Sequence, residues 1–332
     1  MKTIAFFNNK GGVGKTTIAY HLAWMYADTG LSVVAADLDP QANLTAMFLD
    51  DSRLEEVWPD DADHPLSILG AVEPILRGIG DINPAHGERV EDHLTVVVGD
   101  LGLSRFEARL ATSWPECMNR DEAAFRAQSA FYRILSGVAA RRHADVVLMD
   151  VGPNLGAINR AALLAADFVV FPLGPDLFSL QGLRNLGPTL SEWRAGWQDR
   201  LDRRPTGPDL ALPDGGPHPA GYVVMQHAVR ANRPVHACEQ WIRRIPGVYR
   251  VEICGDAAPA PASGADDPYC LGTLKHYRSL IPMAQEARKP VFALRAADGA
   301  LGGHYYAVMD CREDFERLAR SIADSCGIAV PE

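Results

Sequence analysis

Apolar residues fall in short unbroken runs separated by helical patterns, an order that predicts a parallel sheet covered on both faces. Residues 3–7 (TIAFF) form the first run. A glycine-rich turn comes next, then a helical pattern over residues 16–28 that Gly30 ends as a C-terminal glycine does. Residues 32–36 (SVVAA) make a second buried-strand candidate, closing on Asp37. Strand, helix and strand at this spacing form a βαβ unit. Residues 94–98, 145–149 (DVVLM), 168–172 (FVVFP) and 221–225 (GYVVM) suit the same sheet. The expected fold class is α/β, with a mostly parallel central sheet and helices on both faces.

Three stretches interrupt this pattern. Residues 50–64 carry seven acids against one arginine, residues 203–219 are rich in Pro, Gly and Asp, and residues 256–268 (DAAPAPASGADDP) are low in complexity. No repeat and no linker between two self-sufficient halves is evident. We expect one domain over residues 1–332 with loop insertions at about 50–90, 203–219 and 255–270.

Composition narrows the class. The chain has 332 residues, 47% hydrophobic and 22% charged, as in ordinary globular proteins. Its net charge of −10 makes it no polycation, so nucleic-acid contact needs a local basic patch. Its six cysteines are scattered without a Cys-x-x-Cys pair, which suits reduced thiols better than a disulfide framework or zinc site. No apolar run reaches the roughly 18 residues of a membrane span. The first residues lack a signal peptide's apolar stretch, so a cytoplasmic protein is expected.

The chemistry is concentrated in residues 10–17, KGGVGKTT, between the first strand and the first helix. That is the context a phosphate-binding loop requires. Gly11, Gly12, Val13, Gly14, Lys15, Thr16 and Thr17 would wrap phosphate oxygens with backbone N–H groups at a helix N-terminus. Lys15 is placed for the β- and γ-phosphates, the Thr16 hydroxyl for Mg²⁺, and Thr17 for the α-phosphate. The ligands implied are ATP and Mg²⁺. A plain glycine-rich turn does not account for Gly-Lys-Thr-Thr opening the helix. The loop departs from G-x-x-x-x-G-K-[ST], because Asn9 stands where the first glycine would fall and Lys10 supplies a second cation.

This KGGxGKT loop resembles that of the ParA/MinD family of deviant Walker-A ATPases, which have the P-loop NTPase fold. In that family the early lysine, here Lys10, reaches the partner subunit's phosphates in a nucleotide-sandwich homodimer. Residues 37–43 (DLDPQAN) resemble the family's switch I; the resemblance implies that Asp39 positions or deprotonates the attacking water and that Asp37 supports the Mg²⁺ shell. Asp150, closing DVVLMD, stands at the Walker-B position, also on the metal side. Residues 151–183 resemble switch II and the segment beyond it, with Gly152 in place of the first proline of D-x-P-P. Residues 281–290 resemble the segment after the last strand. The family's adenine-side Pro-Arg-Asn is not evident in LKHYRSLIP, so base contacts stay unassigned.

The resemblance implies catalytic roles for Lys10, Lys15 and Asp39, and an ATP-driven dimer whose hydrolysis a partner of the ParB type stimulates. Two surfaces are open to such a switch. MinD-like members carry a basic amphipathic membrane helix, which the acid-bearing DFERLARSIADSCGIAVPE does not resemble, so no membrane partner is expected. ParA-like members bind DNA without sequence preference. Arg230, Arg233, Arg243 and Arg244 within residues 226–250, with Arg200, Arg203 and Arg204, are the DNA-side candidates, and a solvated arginine face is the alternative. The loop begins at residue 10, so no preceding helix-turn-helix is expected. The expected function is partitioning or positioning of DNA or another cargo in the cytoplasm or on the nucleoid. The alternative is a metabolic P-loop enzyme, amide-forming or carboxylating, whose insertions build a substrate pocket.

Overall fold

The computed structural model describes residues 1–60, 63–205, 210–226, 240–256, 267–277, 279–300 and 302–331. Among them eight strands form one sheet: β1 (Lys2–Phe6), β2 (Val33–Asp37), β3 (Glu88–Glu91), β4 (Leu94–Val97), β5 (Val146–Asp150), β6 (Phe168–Leu173), β7 (His218–Gln226) and β8 (Cys270–Lys275). Their order is β3-β4-β2-β5-β1-β6-β7-β8. All pairs are parallel except β3 with β4. The six apolar runs form β1, β2, β4, β5, β6 and β7. The two edge strands, β3 and β8, do not show in the hydrophobic pattern because β3 alternates half-buried with exposed positions and β8 mixes buried with half-buried and exposed ones.

Helices cover both faces. The first nine are α1 (Lys15–Asp28), α2 (Asn43–Phe48), α3 (Asp51–Val57), α4 (Ile68–Leu76), α5 (Phe106–Glu116), α6 (Glu122–Gln128), α7 (Ala130–Arg142), α8 (Ala157–Leu164) and α9 (Leu177–Leu201). Side chains of β1 alternate: Ala5 packs with α4, α5 and α7 to α9, and Ile4 and Phe6 pack with α1, α2 and the later helices Leu280–Ala287 and Gly303–Cys326. That two-sided burial is why the strands read as continuous apolar runs. Each buried Leu, Ile or Phe contributes about 1.5–3 kcal/mol over exposure.

Much of residues 50–90 is regular structure rather than loop. Asp50 and Ser67 accept from Arg53 N and Gly70 N as N-caps of α3 and α4. Ile68, Ala71, Val72 and Ile75 then bury the inner face of α4. The acids of residues 50–64 mask these elements, and Arg53 holds α3 to β3 through Glu88 at 2.7 Å. Residues 210–217 lie on α9, where the buried Trp197 Nε1 donates to Pro213 O at 2.9 Å. The last helix packs Phe315, Leu318 and Ile322 into the core, as its sequence suggests. Among the described residues no helix is long and apolar enough to cross a membrane.

Candidate nucleotide site

Strand register assembles the site at the C-terminal edge of the sheet, where open α/β sheets bind ligands. Asp150 at the end of β5 pairs with Asp37 of β2 on one side and Phe6 of β1 on the other. The phosphate loop leaves β1 at that level and turns into α1 through Gly14, whose φ of 84° is left-handed. A Cβ there would also meet Met225 Cε at 2.7 Å. The loop backbone from Gly11 to Thr17 lines a cleft of about 640 Å³ together with Asp39 and Gln41. Its other end is walled by Leu274, Tyr277, Ile281, Gln285 and Phe315, apolar and amide surfaces of the size a base needs. Sequence motifs leave that end unassigned, because these side chains come from β8, the connection after it and the helices Leu280–Ala287 and Gly303–Cys326.

The two lysines of the loop lead different lives. Lys15 is 6% exposed, and its ammonium donates to Asn8 O at 3.2 Å and Lys10 O at 3.4 Å. Burial lowers its pKa, while the charges of Asp150 and Asp39 oppose that shift. Lys10 instead sits at the rim. Its Nζ lies 2.6 Å from Asp176 Oδ2 and 5.8 Å from the centre of the Phe178 ring. Asp176 is the N-cap of α9, accepting from Ser179 N with its other oxygen at 2.8 Å. Buried Asn8 steadies the loop: its amide donates to Pro172 O at 2.7 Å, and Lys10 N donates to its Oδ1 at 3.0 Å.

Three carboxylates gather at this edge, two of them, Asp150 and Asp39, close enough to act on Lys15. Asp37 spends its oxygens locally: Oδ2 accepts from Thr45 N and Thr45 Oγ1, both at 2.8 Å, and Oδ1 from Asp39 N at 3.3 Å. Asp39 remains at the cleft wall, its Oδ1 accepting from Gln41 N at 3.0 Å. Both oxygens of Asp150 are buried without a hydrogen bond of ordinary geometry. Burial pushes the Asp150 and Asp37 carboxyls well up; the charges of Asp37 and Asp39 raise Asp150 further, and that of Asp39 raises Asp37. A buried carboxylate facing only the Thr16 hydroxyl fits a hard divalent cation such as Mg²⁺.

Residues just after Asp150 are held by contacts the sequence does not reveal. Buried Asn159 of α8 donates to Gly152 O at 2.8 Å and Asn154 O at 2.7 Å. Gly152 packs against Asp39, since a Cβ there would lie 3.3 Å from Asp39 Oδ1. The missing proline thus lets the two switch segments touch. Sequence reasoning reaches none of Thr45, Asp176 and Asn159. Only Asp176 has a local signal, the Asp-x-x-Ser of a helix start.

The arginine candidates divide. Arg230 and Arg233 lie outside the described residues. Arg243 and Arg244 are exposed, and the Arg244 guanidinium lies 5.1 Å from the Trp241 ring centre. Arg200 corrects the cationic reading of residues 199–204. Its side chain is buried, donating to Trp114 O at 2.8 Å and Gly196 O at 2.6 Å, and it stacks 3.7 Å from the Trp114 ring centre. A guanidinium committed to two carbonyls and an indole cannot serve as a surface phosphate contact.

The profile of the AAA domain family (AAA_31) matches residues 1–202. The chain is 33% identical over 202 residues to the chromosome-partitioning ATPase Soj of Thermus thermophilus, covering 60% of this chain and 66% of that one. It is 30% identical over 194 residues to protein IncC of Escherichia coli, covering 58% and 47%. The chain thus spans about half to two thirds of the length of the curated relatives it matches. Protein DIP2308 of Corynebacterium diphtheriae has the same fold at TM-score 0.69, 23% identity and 98% and 99% coverage. So does a putative plasmid partition protein of Borrelia burgdorferi bound to AMPPNP, at TM-score 0.59, 18% identity and 97% and 98% coverage. With that profile covering more than half its length, and with its lysine-bearing phosphate loop, the chain belongs to the AAA domain family and, within it, to the ParA/MinD group of P-loop ATPases.

Proposed function

We propose that this protein is an ATP-dependent dimerising switch that partitions or positions DNA or another intracellular cargo. The observation that carries the reading is the split between two cations on one loop. Lys15 is buried where phosphates would lie, and Lys10 is held at the rim by Asp176, available to a second copy's triphosphate. Leu177 and Phe178 beside it, and Leu155 of the switch II loop, expose apolar side chains suited to an intersubunit face.

In this reading Lys15 and the loop N–H groups bind the β- and γ-phosphates, and Asp39 orients the attacking water and takes its proton. Thr16 and Asp150 would hold Mg²⁺, with Asp37 fixing the surrounding backbone. Bound there, Mg²⁺ would neutralise negative charge on the β- and γ-phosphates. Hydrolysis dissolves the dimer, and a ParB-like partner shortens its life. In the ATP state, Arg243 and Arg244, with Arg230 and Arg233, contact DNA phosphates without reading bases, which places the protein on the nucleoid.

Light scattering with ATP and Mg²⁺ tests the central claim. Wild type should double its mass. Lys10→Ala should bind ATP with unchanged affinity, stay monomeric and not turn ATP over. A Lys10→Ala dimer with wild-type turnover would remove the role assigned to that lysine.

A further inference from the structure

The ATPase reading leaves unexplained how the segment after Asp150 is held. Helix α8 starts immediately past the switch II loop, and its first N–H groups have no partner within the helix. Both oxygens of Glu107, fifty residues earlier on α5, take that place. Oε1 accepts from Ala157 N, and Oε2 accepts from Ile158 N at 2.9 Å. A carboxylate across two N–H groups at a helix N-terminus is a charge-assisted pair aligned with the helix dipole.

The grip extends along one stripe of α5. Glu107, Leu110 and Trp114 recur at helical spacing, and all three meet α8. Arg160 Nη2 donates to Leu110 O at 3.3 Å, and the Arg160 guanidinium stacks 4.1 Å from the Trp114 ring centre. Gly156 makes the carboxylate contact sterically possible, because a Cβ there would lie 2.7 Å from Glu107 Oε1. From α8 the connection continues inward. Asn159, two residues past Ala157 and one past Ile158, holds Gly152 and Asn154 through its amide. Gly152 in turn packs on the Asp39 carboxylate.

We infer that Glu107 is a positioning residue for ATP hydrolysis: it fixes the start of α8 and, through Asn159 and Gly152, the switch II backbone against Asp39. It does not line the nucleotide cleft and acts only through backbone placement. This inference rests on the ATPase reading for its kinetic consequence but not for its structural one. A shift of about 1 Å in a reacting group's setting costs up to roughly a hundredfold in rate. None of the hydrogen bonds that hold this segment involves the phosphate loop, so nucleotide affinity should be kept.

The test uses the full chain with Glu107→Ala, Glu107→Gln and Gly156→Ala. Glu107→Ala should lower kcat for ATP by roughly tenfold to a hundredfold with KM unchanged. Glu107→Gln keeps one acceptor oxygen and should fall between Ala and wild type. Gly156→Ala keeps the carboxylate but pushes its Oε1 away from the start of α8, and should reproduce the kcat loss. Hydrogen exchange supplies a second readout. The Ala157 and Ile158 amides should exchange faster in Glu107→Ala, while the amides of β5 keep wild-type protection. Wild-type kcat in Glu107→Ala, or equal losses in kcat and nucleotide affinity, overturns the positioning role. Unchanged exchange at both amides overturns the clamp itself. If wild type fails to hydrolyse ATP, the ATPase reading falls, and the exchange measurement still decides whether Glu107 holds α8.

Discussion

Asp37 and Asp39 are two residues apart and have different occupations. Asp37 is sealed from solvent and its oxygens hold Thr45 and the Asp39 N–H, so it shapes the loop. Asp39 keeps its place on the cleft wall with one oxygen toward Gln41 N, leaving a carboxylate able to meet a water. Removing it should spare binding, because the loop N–H groups and Lys15 supply the phosphate contacts. Asp39→Ala is therefore expected to bind ATP normally and to slow single-turnover hydrolysis by about a hundredfold or more, the usual worth of a placed base. The same variant should remain a dimer in ATP long after wild type has returned to monomer. Rapid hydrolysis by Asp39→Ala, measured by quench-flow, would assign the base elsewhere, with Asp150 the next candidate because the Asp37 oxygens are taken by Thr45 and Asp39 N.

At the scale of elements, α1 is tied to its neighbours by one neutral histidine. His21 Nδ1 lies 2.8 Å from Thr17 O, Val291 N donates to its Nε2 at 3.1 Å, and its ring stacks on Phe315 at 4.7 Å. Since Val291 N must find a lone pair, Nε2 is unprotonated and Nδ1 carries the hydrogen. Burial lowers the His21 pKa from 6.5 to about 4, outweighing the bond to Thr17 O. The folded state thus resists protonation that the unfolded chain accepts. Stability is complete above pH 6.5 and declines as pH falls toward 4, because there the unfolded state binds the extra proton. Between pH 7.5 and 5.0 this one group should remove about 2 kcal/mol. Urea melts at the two pH values measure it: His21→Phe should start less stable but lose about 2 kcal/mol less than wild type over that interval. Equal losses in the two proteins would assign the acid sensitivity to other groups. Elements like α1 are legible in the sequence because helix-forming residues and the flanking Gly14 and Gly30 agree over residues 15–30, even though the helix is buried nearly all round. Strands β1, β2 and β4 to β7 are legible because both their faces are buried. Strand β3 (ERVE) is not, since half its side chains face solvent, nor is β8, whose CLGTLK is broken by Gly272 and Thr273. The phosphate loop is contiguous and so readable. The partners of Lys10 and Ala157 are not, because tertiary packing sets them across separations of 166 and 50 residues.

Across the whole molecule, a net charge of −10 sets the terms on which DNA can be held. An acidic protein is repelled from DNA on average, so attraction must come from a few arginines acting together. One protomer offers four candidates, Arg230, Arg233, Arg243 and Arg244, the last two exposed and Arg244 beside Trp241. Each phosphate contact steepens the fall of log affinity with log salt by about 0.9, so four contacts give a slope of about −4 and eight give about −7. Dimerisation therefore matters for binding without any change in the arginines themselves. Between 50 and 200 mM salt, the monomer should lose affinity by about 10² and the dimer by about 10⁴. The steeper curve requires ATP and also starts from a far higher affinity at low salt. Fluorescence anisotropy with a random duplex, titrated in ATP and in ADP over that salt range, reads both slopes. Arg243→Ala with Arg244→Ala removes two contacts per protomer and should flatten the ATP slope by about 3 to 4 while leaving ATP-dependent mass doubling intact. A slope that is the same in ATP and ADP, or unmoved by the double substitution, would show that DNA is not what this dimer grips through those arginines. The cargo would then have to be recognised by a surface of different chemistry.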